Sequence, residues 1–288
     1  MGTSTFTIKS KDGTGLEGRS WIPQANVGTV VCLVHGLGEH VGRYEEVGNV
    51  FNAQQIGLLA VDIRGHGRSE GKRGHTTSYD HLLDDVQALL NHAKDTHPNV
   101  AIVLYGHSLG GNIAANFLLR RDVSYLAAAV ISSPWYKLAF EPPVFKVALA
   151  KMMRYIYPAF TEPNDLDPAD LSTDPEVGKA YAADPLVHSS ITAGMFFSVF
   201  EAGNYALEHA GDLSIKTLVM HGSEDKVTSA EASKMFVNNA AMASFQSWEG
   251  MRHEPHNEPG DSVATYVTGW IQGINHPEPG GGTEPITA

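Results

Sequence analysis

Hydrophobic and polar positions along this chain repeat with two different periods. Short runs of β-branched and apolar residues, typical of strands, alternate with longer stretches in which apolar residues recur at helical spacing. The predicted strands are residues 5–10, 16–22, 29–34, 58–62, 100–105, 128–132, 216–221 and 244–248. The predicted helices are residues 43–55, 79–95, 109–120, 230–240 and 261–274. We expect the first two strands to pair antiparallel and the others to form a mostly parallel sheet covered by helices, an α/β fold.

One interval is too long for a simple connection. The segment between the predicted strands 128–132 and 216–221 far exceeds the roughly dozen residues that a crossover between parallel strands requires. We therefore predict an inserted cap at 135–212, between two parts of the core at 1–134 and 213–275. The Pro- and Gly-rich end, 276–288, has too little apolar content to pack and is predicted to be disordered.

Inside the predicted cap, residues 145–157 are apolar around most of a helical circumference. This pattern suits either of two roles. The segment could pack over a pocket, or it could make transient contact with a micelle or membrane surface.

Composition narrows the classes of partner and location. The 32 acidic and 20 basic side chains give a net charge of -12, which disfavours binding to nucleic acid, so no nucleic-acid partner is expected. The single cysteine, Cys32, lies in an apolar run and is expected to be buried. No secretory signal and no apolar run of about 20 residues is visible. We expect a soluble, cytoplasmic protein, at most peripheral at membranes.

The sharpest motif is Gly106-His107-Ser108-Leu109-Gly110, a G-x-S-x-G pattern that follows a predicted strand and opens a predicted helix. In this context the pattern is typical of the nucleophile elbow of α/β-hydrolases, where a tight turn exposes a serine hydroxyl at the edge of the sheet. Ser108 is therefore the predicted nucleophile.

A serine nucleophile needs a base, and the base needs an acid that fixes its tautomer. In this fold the acid follows a late strand and the histidine follows the last strand. Asp225 and His253 meet these conditions, and His253 is singled out from fourteen histidines by its position alone. Glu224 is the competing acid.

The turn after the third strand, His35-Gly36-Leu37-Gly38, predicts the second half of an oxyanion hole. The backbone N–H groups of Leu37 and Leu109 are the predicted donors. No metal is expected, because the stretch from His253 to His256 lacks the i, i+4 histidine pair of a helical zinc motif. No cofactor is expected, since hydrolysis by such a triad requires none.

Taken together, the motifs resemble the monoacylglycerol lipase and lysophospholipase branch of the α/β-hydrolases. The segments that carry this resemblance are 35–44, 62–71, 106–111, 181–186, 221–225 and 253–254. The resemblance implies an α/β-hydrolase fold with a cap and a serine esterase that cleaves monoacylglycerols to glycerol and fatty acid. A lysophospholipase or a general carboxylesterase with the same triad is the alternative, and a catalytically silent ligand receptor on the same fold is a more distant one.

The resemblance also implies residues that bind the substrate. Glu39, Arg43 and His256 fall at positions that hold the glycerol hydroxyls, with Tyr181 near the site. Each has a plainer alternative: Glu39 and Arg43 could form a local ion pair, and His256 could lie at the surface. The matching segment with Asp62, Arg64 and His66 is given a structural role.

Overall fold

The computed structural model describes residues 2–24 and 27–275. Its strands are β1 Gly2–Lys9, β2 Gly15–Ile22, β3 Thr29–Val34, β4 Ile56–Val61, β5 Ala101–His107, β6 Ala128–Ser132, β7 Thr161–Pro163, β8 Ser190–Thr192, β9 Thr217–Gly222 and β10 Ala243–Trp248. Its α-helices are α1 Glu45–Ala53, α2 Tyr79–Thr96, α3 Leu109–Arg120, α4 Val144–Ile156, α5 Pro175–Ala183, α6 Ala193–Glu208, α7 Ala230–Asn239 and α8 Ser262–Asn275. The predicted tail at 276–288 lies outside the described residues.

Eight of these strands form one sheet in the order β1-β2-β4-β3-β5-β6-β9-β10. β1 and β2 are antiparallel to each other, β2 is antiparallel to β4, and the remaining pairs are parallel. The prediction of an antiparallel pair followed by a parallel sheet is confirmed. The central strands β3 and β4 are buried along their whole length, as expected for strands covered on both faces.

Helices cover both faces of this sheet. Side chains of α1 and α8 pack into the core on one face, and those of α2, α3 and α7 pack into the core on the other. Cys32 is fully buried in the second of these cores. The parallel strands therefore end at one sheet edge, between two helical layers, and loops that follow the strands meet there.

Several predicted elements differ from the structure by two or three residues, and β1 begins at Gly2 rather than at residue 5. β4 begins at Ile56, two residues before the predicted start, because Gly57 does not look like a strand residue in sequence. The predicted helix at 43–55 is a short 3-10 helix, Val41–Tyr44, followed by α1. The imidazole of His40 caps the 3-10 helix by accepting the Gly42 N–H.

The long segment between β6 and β9 contains α4, α5, α6 and the small sheet of β7 and β8. It is tied to α3 by buried asparagines. The Asn112 side chain donates to the carbonyls of Trp135 (2.7 Å) and Val199 (3.2 Å), and that of Asn116 donates to Ala202 O (3.0 Å). The bounds 135–212 of a separate cap stay a prediction. Among the described residues, no helix combines the length and apolar character needed to cross a bilayer.

Candidate active site

Ser108 lies at the sharp turn between β5 and α3. Its backbone has φ 53° and ψ -115°, a conformation that residues other than glycine rarely adopt. The two motif glycines make this turn sterically accessible. A Cβ at Gly106 would lie 2.2 Å from Gly110 O, and a Cβ at Gly110 would lie 2.0 Å from Val34 O. The G-x-S-x-G pattern therefore follows from close backbone packing around the serine.

The structure brings Ser108, His253 and Asp225 together, although 145 positions separate the first two. His253 Nε2 is 3.0 Å from Ser108 Oγ, and His253 Nδ1 is 2.8 Å from Asp225 Oδ2. Because an ionised carboxylate only accepts, Nδ1 carries the proton and Nε2 is left to accept the serine proton. All three side chains are buried or nearly so.

Asp225 is held in place by several donors. Its Oδ1 accepts the N–H groups of Val227 (2.7 Å) and Thr228 (3.0 Å), and its Oδ2 accepts the Thr228 hydroxyl (2.9 Å). His221 Nε2 lies 2.9 Å from the same Oδ2. The competing acid, Glu224, is exposed. The roles of Thr228 and His221 were not predicted from the sequence. A threonine three residues after an aspartate is the local signal for the Thr228 contact.

Charges around His253 oppose the effect of its burial. Burial lowers the pKa of the imidazole, but Asp225, and then Glu254 and Glu39, raise it above its usual 6.5. Burial would raise the pKa of the Asp225 carboxyl, but the contacts with His253 and His221 hold it well below its usual range. The pair is therefore suited to a base that accepts a proton while its partner stays ionised.

Glu39 and Arg43 form the ion pair that was one of the two sequence-based alternatives. Arg43 Nη1 donates to Glu39 Oε2 (2.8 Å), and the guanidinium carbon lies 4.8 Å from the ring centroid of Tyr181. Arg43 also donates twice to Glu254, both at 2.6 Å. The contact between Arg43 and Glu254 was not predicted, and 211 positions separate the two residues.

His256 is 7% exposed, so its alternative as a surface residue is wrong. Its ring stacks on Tyr44 at 4.8 Å and meets the His107 ring edge at 4.7 Å. Neither of its nitrogens has a hydrogen-bond partner among the described residues. His256 therefore offers two unused polar atoms close to the site.

A cavity of about 350 Å³ opens over Ser108. Glu39 and Tyr181 are among its lining residues, together with Ser108 and His253, whereas Arg43 and His256 lie behind the wall. Most of the wall is apolar, and it includes Leu37, Trp135, Leu138, Val147, Phe160 and Phe196. A mainly apolar chamber that also presents polar groups is the common form of a small-molecule site.

The residues given a structural role do hold the loop after β4. The Asp62 carboxylate accepts the N–H groups of Val41 and Arg68, both at 2.8 Å. Arg64 forms ion pairs with Asp12 (2.7 Å) and Asp85 (2.6 Å).

One group of side chains among the described residues has metal-ligand spacing. Atoms of Glu39, His107 and Glu254 lie within 4.8 Å of one another. Arg43 already donates to both of these carboxylates. The group is therefore better described as a salt bridge network than as a cation site.

Known proteins are similar to this chain along most of its length. The family model described as serine aminopeptidase, S33 (Hydrolase_4) matches residues 25–260. The chain belongs to this family. A monoacylglycerol lipase from Mycolicibacterium smegmatis is 34% identical over 255 residues, which cover 87% of this chain and 90% of that protein. An uncharacterised abhydrolase domain-containing protein from Dictyostelium discoideum is 33% identical, but the matched region spans only 29% of its length.

Solved structures of monoacylglycerol lipases have the same fold as this chain. The monoacylglycerol lipase of Paleococcus ferrophilus aligns with a TM-score of 0.79 at 30% identity, covering 96% of this chain and all of that one. A soluble variant of the Saccharomyces cerevisiae monoglyceride lipase aligns with a TM-score of 0.81 at 18% identity, which speaks for the fold alone. The predicted α/β-hydrolase fold and the resemblance to monoacylglycerol lipases are confirmed. The chain is a hydrolase that acts on esters.

Proposed function

We propose that this hydrolase cleaves the ester bond of monoacylglycerols, a class of lipid ester, through an acyl-enzyme. The observation that carries the proposal is the contact of Ser108 with His253, and of His253 with Asp225, at the base of an apolar cavity. The names of the relatives support the same substrate class.

In the first half of the reaction, Ser108 Oγ attacks the acyl carbonyl carbon while its proton passes to His253 Nε2. The carbonyl oxygen becomes an oxyanion, held by the backbone N–H groups of Leu37 and Leu109. Leu109 begins α3, where N–H groups lack partners within the helix. The Gly36 N–H is already donated to Glu39, so the next amide, that of Leu37, is the donor offered by this loop.

The intermediate then collapses, and His253 gives its proton to the glycerol oxygen as the C–O bond breaks. Water attacks the acyl-enzyme in the second half, with His253 again accepting a proton and returning it to Ser108 Oγ. The products are glycerol and a fatty acid, and no cofactor takes part.

The lining of the cavity offers groups for both parts of such a substrate. The apolar wall suits an acyl chain, since burial of each CH₂ contributes about 0.8 kcal/mol. Glu39 and Tyr181, on the wall, are the proposed contacts of the glycerol hydroxyls. Arg43 and His256 lie behind the wall, and we propose that they act on the same head group through the residues that line the cavity.

The test is a substrate panel with wild-type protein and Ser108→Ala. We expect the wild type to prefer monoacylglycerols over di- and triacylglycerols in kcat/KM, and Ser108→Ala to lose turnover on them and labelling by a fluorophosphonate while keeping its circular dichroism spectrum. Retained turnover would remove Ser108 from its role. Higher kcat/KM for lysophospholipids or short aryl esters would favour the lysophospholipase or the general carboxylesterase.

We also propose that α4 makes transient, peripheral contact with the lipid surface that holds the substrate. Val147 and Ala150 of this helix line the cavity. Other large apolar side chains of the same helix are exposed: Val144 (85%), Phe145 (70%), Met152 (52%), Tyr155 (75%) and Ile156 (70%). Large exposed apolar patches are typical of interaction surfaces.

A further inference from the structure

Glu254 directly follows His253 and is 2% exposed. Both of its carboxylate oxygens accept hydrogen bonds from Arg43 at 2.6 Å, and Oε2 also accepts one from Asn257 at 2.8 Å. Burial would raise the pKa of this carboxyl, but the Arg43 guanidinium lowers it to about 2. Glu254 is therefore ionised at neutral pH.

The contacts continue from Arg43 to the loop after β3. Glu39 accepts from Arg43 through Oε2, and its Oε1 accepts the Gly36 N–H (2.6 Å) and the Tyr44 hydroxyl (2.9 Å). An unbroken series of charge-assisted hydrogen bonds thus joins the residue after His253 to the residue before Leu37. Such bonds are shorter and stronger than those between neutral groups.

This network has an unbalanced charge. Two carboxylates share one guanidinium, which leaves one net negative charge beside the imidazole of His253. Burial lowers the pKa of the His107 and His256 imidazoles, so these neighbours do not supply the missing positive charge at neutral pH. The titratable or charged groups around His253 come from several elements: His221 on β9 and Asp225 after it, His107 on β5, Glu39 and Arg43 after β3, Glu254 and His256 on its own loop, and Asp170, whose carbonyl accepts the His253 N–H (3.4 Å) and whose carboxylate pairs with Lys226.

We infer that Glu254 is a positioning residue for the proposed ester hydrolysis. Through Arg43 and Glu39 it holds the His253 loop and the Gly36–Leu37 turn in one fixed arrangement, and its charge stabilises the imidazolium form of His253. The inference rests on the proposed role of His253 as the base.

Two events of the reaction depend on this arrangement. When Ser108 attacks, His253, which precedes Glu254, gains a positive charge, and the carbonyl oxygen gains a negative one that the proposed donor Leu37, which follows Gly36, would hold. Fixed groups stabilise developing charge more than mobile ones, because no reorganisation is needed as the charge appears. Glu254 acts on the imidazolium directly and on the oxyanion through the position of the Leu37 amide.

The experiment compares wild type with Glu254→Gln, which removes the charge and keeps the size. The rate of fluorophosphonate labelling of Ser108 is followed from pH 5 to pH 9, and kcat and KM are measured with p-nitrophenyl butyrate. We expect the midpoint of the acid limb to fall by about one pH unit, as for loss of a nearby buried charge. We expect kcat to fall roughly 10- to 100-fold with little change in KM, because the loss is in geometry rather than in substrate binding.

Glu258→Gln is the matched control. Glu258 is also buried and lies on the same loop, where it accepts from Thr173 N (2.9 Å), Ser172 Oγ (3.1 Å) and Arg252 N (2.7 Å). Within the described part of the chain it forms no hydrogen bond or ion pair with Arg43 or Glu39. We expect Glu258→Gln to lower Tm without moving the midpoint of the acid limb. Glu254→Asp separates charge from position: it should keep the midpoint and lose kcat.

An unchanged midpoint in Glu254→Gln, or the same shift in Glu258→Gln, would overturn the inference. If Glu254→Gln does not fold, wild-type kcat in Glu254→Asp would overturn it. Fluorophosphonate labelling and aryl ester turnover do not require the natural substrate. The variants can therefore be compared with the wild type even if the wild type does not hydrolyse monoacylglycerols. A wild type that is not labelled at Ser108 would instead contradict the proposed function.

Discussion

At the scale of single residues, the properties of Ser108 come from the groups around it, both near it and far from it in sequence. Its turn is set by Gly106 and Gly110, its proton acceptor is His253, and the acceptor is oriented by Asp225. The hydroxyl alone is a weak nucleophile near neutral pH. The reactivity of Ser108 therefore depends on these contacts.

The first prediction concerns Asp225→Asn. An amide in this position cannot keep the proton on His253 Nδ1 as the carboxylate does, and it no longer stabilises the imidazolium. We expect kcat on an aryl ester to fall by on the order of 10⁴ with the fold intact, as such substitutions do in serine hydrolases. Glu224→Gln is the control, since Glu224 is exposed, and it should keep kcat within about twofold. Equal losses in the two variants would contradict the assignment of Asp225.

The wild-type pH profile follows from the same contacts. His253 acts as a base only when neutral, and its pKa lies above the usual 6.5. We therefore expect kcat/KM of the wild type, measured against pH, to fall on the acid side with a midpoint above pH 6.5.

At the scale of elements, the predicted strands and core helices are found close to their expected positions, because each has a clear hydrophobic period. α5, α6 and the three-residue strands β7 and β8 were not predicted. Strands so short carry no readable alternation. α6 has no clear polar face in sequence, because one face packs on α3 and Phe196 lines the cavity.

The predicted and the missed residues of the site differ in the same way: the predicted ones follow a readable sequence pattern, and the missed ones do not. Ser108, Asp225 and His253 could be named because each follows a strand in a known order. The pairing of Glu254 with Arg43 joins two loops from opposite ends of the chain, and no local pattern records it. Contacts of this kind can be recognised only in the folded structure, in which the sheet brings the two loops together.

The second prediction, at the same scale, concerns α4. Phe145→Ser combined with Met152→Ser should weaken co-sedimentation with phosphatidylcholine vesicles by about tenfold or more, because burial of such side chains contributes roughly 1.5–3 kcal/mol each. Turnover of a soluble aryl ester should change little, since neither residue lines the cavity. Met235→Ser with Met242→Ser removes exposed methionines elsewhere and should bind vesicles like wild type. Equal binding of all three proteins would leave α4 only a packing role.

At the scale of the whole molecule, histidines that are buried and neutral should make the fold sensitive to acid. Burial, complete or partial, lowers the pKa of eight histidines: His35, His66, His75, His92, His97, His107, His188 and His256. His253 has the opposite shift. Below pH 6.5 the unfolded chain therefore binds more protons than the folded one, and the free energy of unfolding falls as the pH falls.

His188 allows this to be tested away from the proposed catalytic groups. It lies between α5 and β8, its N–H donates to Gly38 O (2.9 Å), and its ring is 4.7 Å from that of His66. Burial, and then Arg73, lower the pKa of His188 to about 4. Between pH 6.5 and pH 4 the folded state thus resists a proton that the unfolded state accepts.

The third prediction is that Tm falls between pH 7 and pH 4.5, and that it falls less in His188→Gln. Glutamine can still accept the Ser190 N–H that His188 Nδ1 accepts at 3.2 Å, but it cannot gain a charge beside His66 and Arg73. The carboxyl of Glu254, with a pKa of about 2, loses its stabilising effect only below about pH 4.5. It therefore does not contribute to the change in Tm between pH 7 and pH 4.5. Parallel Tm curves for the two proteins from pH 7 to pH 4.5 would show that the protonation of His188 is not coupled to unfolding.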